Sequence, residues 1–282
     1  MADHFAAFSF VDRIAELVPG KLARGVFSVP RDVGAFPACL VAEAVGQLAA
    51  WVAMAYIDFR GRPVAALATE TLFHREVVPG DRLQLAVEIE ACDDDAVAYG
   101  GAAEVEGARV IELRHCLGPM LPVAEFDAPE AMRERFGMLC GEGAPAARFH
   151  GVDRPRLDAI EATSNRSVRA TLRVPQSAPF FADHFPRRPV FPATLLLDSQ
   201  IRLAMDLARS AIAAPAGMTL LPQRMTNVKM RAFIVPGQAV ELAAELAAIS
   251  GASGTARLTA SVDGRNVATA RLDIAAREEQ DQ

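Results

Sequence analysis

Paired cysteines are missing from this chain. Its four cysteines, Cys39, Cys92, Cys116 and Cys140, include no CxxC spacing, which argues against a zinc ribbon, a dithiol redox centre or a disulfide framework. Free thiols in a reducing compartment are the default, and with no targeting segment in view the expected location is the cytoplasm. Basic runs are missing too. Lys and Arg number 29 against 35 Asp and Glu, a formal charge of −6, with no basic tail to hold nucleic acid. His4, His74, His115 and His150 have neither metal-ligand nor triad spacing to any partner. The longest apolar run, Ala38 to Ile57, approaches membrane-spanning length, but Glu43 and Gln47 interrupt it. It is expected to be a core helix rather than a membrane span.

What the chain does contain is hydrophobic residues, 51% of 282 positions, enough for two cores, and an internal repeat. Val78-Pro79-Gly80 precedes one alternating apolar segment and Val235-Pro236-Gly237 precedes another, 157 residues later. At the same offset Val105-Glu106-Gly107 matches Val262-Asp263-Gly264, each an acidic-Gly pair between alternating residues, the mark of a hairpin turn. Phe36-Pro37-Ala38 matches Phe191-Pro192-Ala193 at an offset of 155, which sets Glu43 opposite Asp198 and Leu40 opposite Leu195. Two strand-rich halves follow, each with one long helix. Between them, Met120 to Ala147 holds a short helix and then a Gly-rich joint. Asp127 is its expected cap, with Pro129 and Glu130 in the first turn. Residues 277–282 are expected to form a frayed polar tail.

The halves differ in one place. From the residue after Val29-Pro30 to Phe36 there are six residues, but from the residue after Val174-Pro175 to Phe191 there are sixteen. The extra segment contains His184 among Phe185, Pro186, Pro189 and Pro192, and prolines at this density exclude helix and central strand, leaving a stiff loop. After Pro192 the apolar residues recur at three and four, so a helix starts there. Asp198 falls about two turns into it among Leu195, Leu196, Leu197 and Ile201, where a carboxylate is either on a narrow exposed stripe or held in a buried site.

These residues resemble the β-hydroxyacyl-acyl-carrier-protein dehydratases of the hot-dog fold. His184-Phe185-Pro186, Pro189-Val190, Pro192, Leu195 and the acid at Asp198, fourteen residues after the histidine, match that family's signature. Pro37, Leu40, Glu43, Ala44 and Gln47 match its helix start, Val11-Asp12-Arg13 its early motif, and Val77 to Asp81 a strand entry. The resemblance implies an α+β fold of two tandem hot-dog domains, each a bent antiparallel sheet wrapped around a long helix, paired as an intramolecular pseudo-dimer. The expected bounds are 1–120, a linker at 121–147, and 148–282. Because the family takes histidine from one subunit and the acid from the other, His184 should face Glu43, while Asp198 and Ala193 would belong to a vestigial second site.

The implied reaction is dehydration of a 3-hydroxyacyl thioester to a trans-2-enoyl thioester, a hydro-lyase step of the kind used in fatty acid synthesis. It needs a base, an acid and stabilisation of the thioester oxygen. His184 is the expected base and Glu43 the acid, with Gln47 positioning the site and backbone N–H groups near Ala38 meeting the oxygen. No metal or other cofactor is implied. The acyl group would arrive on acyl carrier protein or coenzyme A, with Arg187, Arg188 and Arg202 as candidate carrier contacts, and further assembly into a homo-oligomer is left open. Three departures stand out: Ala38 and Ala193 replace glycine after proline, and Asp183 replaces glycine before the histidine. Asp183 is expected to need a glycine-like backbone angle and to favour the charged form of His184. Two competing readings are a hot-dog acyl thioesterase and a non-catalytic acyl-binding or scaffold subunit.

Overall fold

The structure, a computed structural model, describes Phe5, residues 7–145 and residues 149–278. Alternation of buried and exposed residues builds the strands. In β5 (Arg82–Cys92) Leu83, Leu85 and Val87 point inward, and in β11 (Ala239–Ser250) Val240, Leu242, Ala244 and Leu246 do the same. The first half adds β1 (Arg13–Val18), β2 (Leu22–Ser28), α1 (Ala38–Tyr56), β3 (Gly61–Pro63), β4 (Leu67–Phe73), β6 (Ala96–Val105) and β7 (Ala108–Pro122). The second has β8 (Leu157–Ser164), β9 (Ser167–Arg173), α3 (Ala193–Ala211), β10 (Met218–Met230), β12 (Ser253–Val262) and β13 (Arg265–Glu278). Both repeated hairpin turns form as their sequence requires, with positive φ at Glu106 and Gly107 (52° and 80°) and at Asp263 and Gly264 (49° and 74°).

The strands run in the order β1-β2-β5-β6-β7-β4 and then β10-β13-β12-β11-β9-β8, every pair antiparallel. Antiparallel pairing of β4 with β10, for example Leu72 with Arg224 and Ala68 with Val228, joins the two half-sheets into one. Each half-sheet wraps one helix of 19 residues, α1 or α3. Two half-sheets, each curled on one long helix, agree with the hot-dog fold that the resemblance implies.

Along α1, Leu48, Ala49, Val52 and Ala53 are fully enclosed, and burying each Leu or Val contributes about 1.5–3 kcal/mol. Although α1 is apolar and long enough to cross a membrane, most of it lies inside the protein. The helix explains why a membrane-like run occurs in a wrapped core.

Two local expectations are corrected. Asp127 does not cap α2 (Pro129–Cys140), whose cap is Ala128. Its carboxylate accepts from the Ala128 N–H (2.8 Å) and ion-pairs with Arg135 (2.9 Å), a buried partner eight residues on whose charge outcompetes a capping role. Arg277 and Glu278 are not frayed but close β13 against β10, while residues 279–282 lie outside the described residues, as does His4.

Candidate active site

His184 owes its setting to the proline-rich loop. A 3₁₀ turn at Pro179–Ala182 leads into it, and the His184 N–H donates to the Phe180 carbonyl at 2.9 Å. The His184–Phe185 peptide is cis. Nδ1 lies 2.9 Å from the Val190 carbonyl oxygen. A carbonyl can only accept, so in the neutral ring Nδ1 carries the proton and Nε2 keeps its lone pair. The imidazole stacks on Phe185 (4.1 Å between centroids) and meets the edge of Phe8 (5.5 Å). Burial lowers its pKa from the ordinary 6.5 and the Arg62 charge adds to the shift, against the opposing pull of Glu43 and the Val190 carbonyl.

Glu43 comes from the other half, on α1. Its Oε1 accepts from Gln47 Nε2 at 3.0 Å, one turn along the helix, and its Oε2 accepts from Thr194 Oγ at 2.8 Å, across the interface on α3. Gln47 is itself held at both ends of its amide, donating to the Phe8 carbonyl (3.0 Å) and accepting from the Phe10 N–H (2.8 Å). The carboxyl is thus fixed from two helices and, through Gln47, by the N-terminal segment.

His184, Glu43, Gln47 and Thr194 line one cavity of about 210 Å3 between the halves. Its walls are mainly apolar, with Leu113, Leu197, Val228 and Phe233 among them, and Tyr99 and Cys116 lie farther along the first half-sheet. Gly46 packs closely there, and a Cβ at this position would come within 3.2 Å of the Tyr99 hydroxyl, which would have to shift by a few tenths of an ångström. Burial raises both the Tyr99 and the Cys116 pKa, the latter to about 12, so both stay neutral.

His184 and Glu43, from opposite halves, line one cavity, while other residues lie elsewhere than expected. Ala38 lies outside the cavity. The helix start that reaches it is that of α3, where Ala193 and Thr194 line the wall and, as the first two helical residues, have no intrahelical acceptor for their N–H groups. Ala193 therefore sits beside Glu43 and not beside Asp198.

Asp198 is 4% exposed and held by arginines: Arg154 Nη2 lies 3.1 Å from Oδ1 and Arg202 Nε 3.3 Å from Oδ2. Burial raises the Asp198 pKa, opposed by both arginines. Arg202, expected on a carrier-facing rim, instead turns inward to Asp198 and to the Pro155 carbonyl (2.7 Å), because a buried carboxylate one turn away demands a counter-charge. Arg187 and Arg188 are exposed, reaching the Ala124 carbonyl and Glu125.

Asp183 is also corrected. Its backbone is ordinary (φ −105°), so no glycine-like angle is needed. Its buried carboxylate accepts from three N–H groups, of Phe5 (3.3 Å), Ala7 (2.9 Å) and Phe8 (2.8 Å), and so ties down the N-terminal segment. Burial and the Arg62 charge govern the His184 shift, which runs toward the neutral ring, opposite to the direction expected from Asp183.

Three contributors carry no strong signal in the sequence. Thr194 sits inside the helix-start motif, at the position corresponding to Cys39 at the 155-residue offset. Arg154 belongs to Val152-Asp153-Arg154, a second copy of Val11-Asp12-Arg13 that marks it in retrospect. Arg62 lies in a three-residue strand with no pattern around it. Of the remaining histidines, His74 and His115 are at the surface, with His115 Nδ1 3.1 Å from Glu90.

Comparison with known proteins is consistent with this architecture. Residues 160–270 match the ApeI-like family, described as ApeI dehydratase. The 3-hydroxyacyl-[acyl-carrier-protein] dehydratase FabZ of Clostridium acetobutylicum is 32% identical over 113 residues, 36% of this chain and 80% of the relative. Among solved structures, a MaoC-like dehydratase superposes with a TM-score of 0.52 at 13% identity, over 93% of this chain and 98% of the other. The 12:0-ACP thioesterase of Umbellularia californica gives 0.56 at 11% identity, over 91% and 94%. At those identities the two structures speak for the fold alone. With four-fifths of a FabZ dehydratase matched at 32% identity and a hot-dog architecture throughout, the chain belongs to the hot-dog 3-hydroxyacyl-[acyl-carrier-protein] dehydratase family.

Proposed function

We propose that the protein dehydrates a 3-hydroxyacyl thioester to the trans-2-enoyl thioester at a single site made by His184 and Glu43. The observation that carries this reading is the asymmetry between the helices. Glu43 shares an apolar cavity with a histidine, whereas Asp198 is neutralised by Arg154 and Arg202.

In the proposed step Nε2 of His184 takes the α-proton, for which a neutral imidazole is the competent form. The C–O bond to the β-hydroxyl breaks as Glu43 delivers a proton, and water leaves. Gln47 and Thr194 hold the carboxyl in one orientation while this happens. The N–H groups of Ala193 and Thr194, at the positive end of α3, are the candidate donors to the thioester oxygen, in place of Ala38. The acyl group would be carried on acyl carrier protein or coenzyme A in the cytoplasm. The units performing this are residues 1–120 and 148–282, joined by 121–147.

The test is hydration of a trans-2-enoyl thioester, followed by loss of its conjugated absorbance, for wild type, His184→Ala, Glu43→Gln and Asp198→Asn. Activity should fall by roughly 10²–10⁴ for the first two variants and persist in Asp198→Asn. An inactive Asp198→Asn with active Glu43→Gln would reverse the pairing. A wild type that releases free thiol without hydrating the double bond would make the protein a thioesterase.

A further inference from the structure

Arg62 lines the same cavity, and its charge lacks a dedicated counter-ion. The three carboxylates whose charge it feels are Asp127, Glu43 and Asp183. Each is committed elsewhere: Asp127 to Arg135 at 2.9 Å, Glu43 to Gln47 and Thr194, Asp183 to three backbone N–H groups. What Arg62 does touch is soft. Its Cζ stands 4.1 Å from the Phe185 ring centroid and its Nη1 3.8 Å from the Met132 sulfur. Among the described residues no carboxylate forms an ion pair with it.

A guanidinium carries five N–H donors in a planar fork, and Arg62 is half-buried, so its charge is partly desolvated without an ion-pair partner to offset the cost. Burial has already lowered the Arg62 pKa to about 10, which still leaves it charged at neutral pH. Cation–π contact with Phe185 offsets part of the desolvation but uses the face of the fork, not its edge. Its chain neighbours in the wall, Pro63, Val64 and Ala65, and Phe185 on which it packs, carry no oxygen side chain.

The geometry points to Arg62 as a specificity-determining residue that receives a carboxylate on the acyl group, so that the preferred ligand is the half-thioester of a dicarboxylic acid rather than a plain alkyl thioester. A carboxylate fits because it matches the fork with two parallel N–H···O bonds, a geometry that lysine cannot reproduce. This inference rests on the acyl-thioester reading of the cavity but not on the dehydration step, and its test separates the two.

Amide-linked acyl-pantetheines cannot turn over, so binding can be measured without catalysis. Matched pairs ending in methyl or carboxylate, across a series of chain lengths, are titrated calorimetrically into the full-length protein, its Arg62→Met variant and its Arg62→Lys variant. At one chain length or more, wild type should bind the carboxylate-ended member at least about tenfold tighter. Arg62→Met should erase that preference, and Arg62→Lys should keep only part of it. Thermal melting establishes that the variants are folded. Tighter binding of the methyl-ended member at every length overturns the proposal, as does a carboxylate preference that survives in Arg62→Met. Equal weakening of both members in Arg62→Met also overturns it, by assigning Arg62 to the pantetheine arm. Failure of enoyl hydration in the same preparations bears on dehydration and leaves the binding result standing.

Discussion

Substitution of Asp183 measures how far the site depends on the N-terminal segment. Its Oδ2 accepts from Ala7 and Phe8 at 2.9 and 2.8 Å, and its Oδ1 accepts more weakly from Phe5 at 3.3 Å. Hydrogen bonds to a charged acceptor contribute about 1.5–3 kcal/mol each, and the two short ones dominate. Asp183→Ala should therefore cost about 4 kcal/mol, limited by the ability of the segment to detach locally. In Asp183→Asn the amide oxygen can keep the two short bonds as neutral ones while its NH2 opposes the Phe5 N–H, for a loss of about 2 kcal/mol. At roughly 2–4 °C per kcal/mol for a chain of this size, the expected falls in midpoint are roughly 10 °C and 5 °C. Activity should fall with stability, since Phe8 packs on His184 and its carbonyl anchors Gln47, which orients Glu43. Calorimetric melting and enoyl-thioester hydration on the same preparations give both numbers. An Asp183→Ala protein that melts and turns over like wild type would sink the reasoning, because the three bonds would then be decorative.

If His184 is the base proposed above, its lowered pKa has a kinetic consequence: the neutral ring is lost as pH falls through that pKa, so the acid limb of kcat/KM should lie below 6.5. Arg62→Met removes a neighbouring positive charge that disfavours imidazolium, so the limb should move upward; an unmoved or falling limb would contradict the electrostatics. Thr194→Val keeps the shape but removes the donor to Glu43 Oε2, and should lower kcat/KM by about tenfold, equivalent to about 1.4 kcal/mol, with little change in melting. Gln200 is 1% exposed on α3, and neither of its amide atoms has a partner among the described residues. Gln200→Met should raise stability by about 1–3 kcal/mol in denaturant titration, and a loss there would mean that the amide is satisfied in solution.

Much of the fold is legible because its signals are local and duplicated. The acidic-Gly turns demand positive φ whatever surrounds them, and the alternation in β5 and β11 sets which face is inward. The helix starts carry proline at the same place in both halves. What escaped sequence reasoning depends on contacts between distant segments. Asp183 finds its partners 175 to 178 residues away, so its neighbour His184 was the only context visible. Asp127 looks like a cap until Arg135 folds back on it, and Arg202 looks like a surface charge until Asp198 is known to be buried.

The two helices explain why one duplicated frame can hold such different chemistry. At the offset that aligns them, Glu43 corresponds to Asp198, Gln47 to Arg202 and Thr194 to Cys39. Around Glu43 the partners are neutral donors, Gln47 and Thr194, and the opposing loop brings His184. Around Asp198 they are cations, Arg202 and Arg154, and the buried Cys39 thiol offers little, its pKa pushed up by burial and by Asp198 itself. The proposed site takes a loop from one half and a helix acid from the other. The first half's shorter loop, residues 31–36, holds no histidine, and Asp198 is buried with arginines as its partners. A buried carboxylate must then be paired or protonated, and the two arginines pair it. By this reasoning the ion cluster at Asp198 is a consequence of the missing loop. Grafting residues 176–191 in place of 31–36 should not restore a second site unless Arg154 and Arg202 are also replaced by neutral side chains. A graft alone that doubles enoyl-thioester turnover would show that the arginines do not block it.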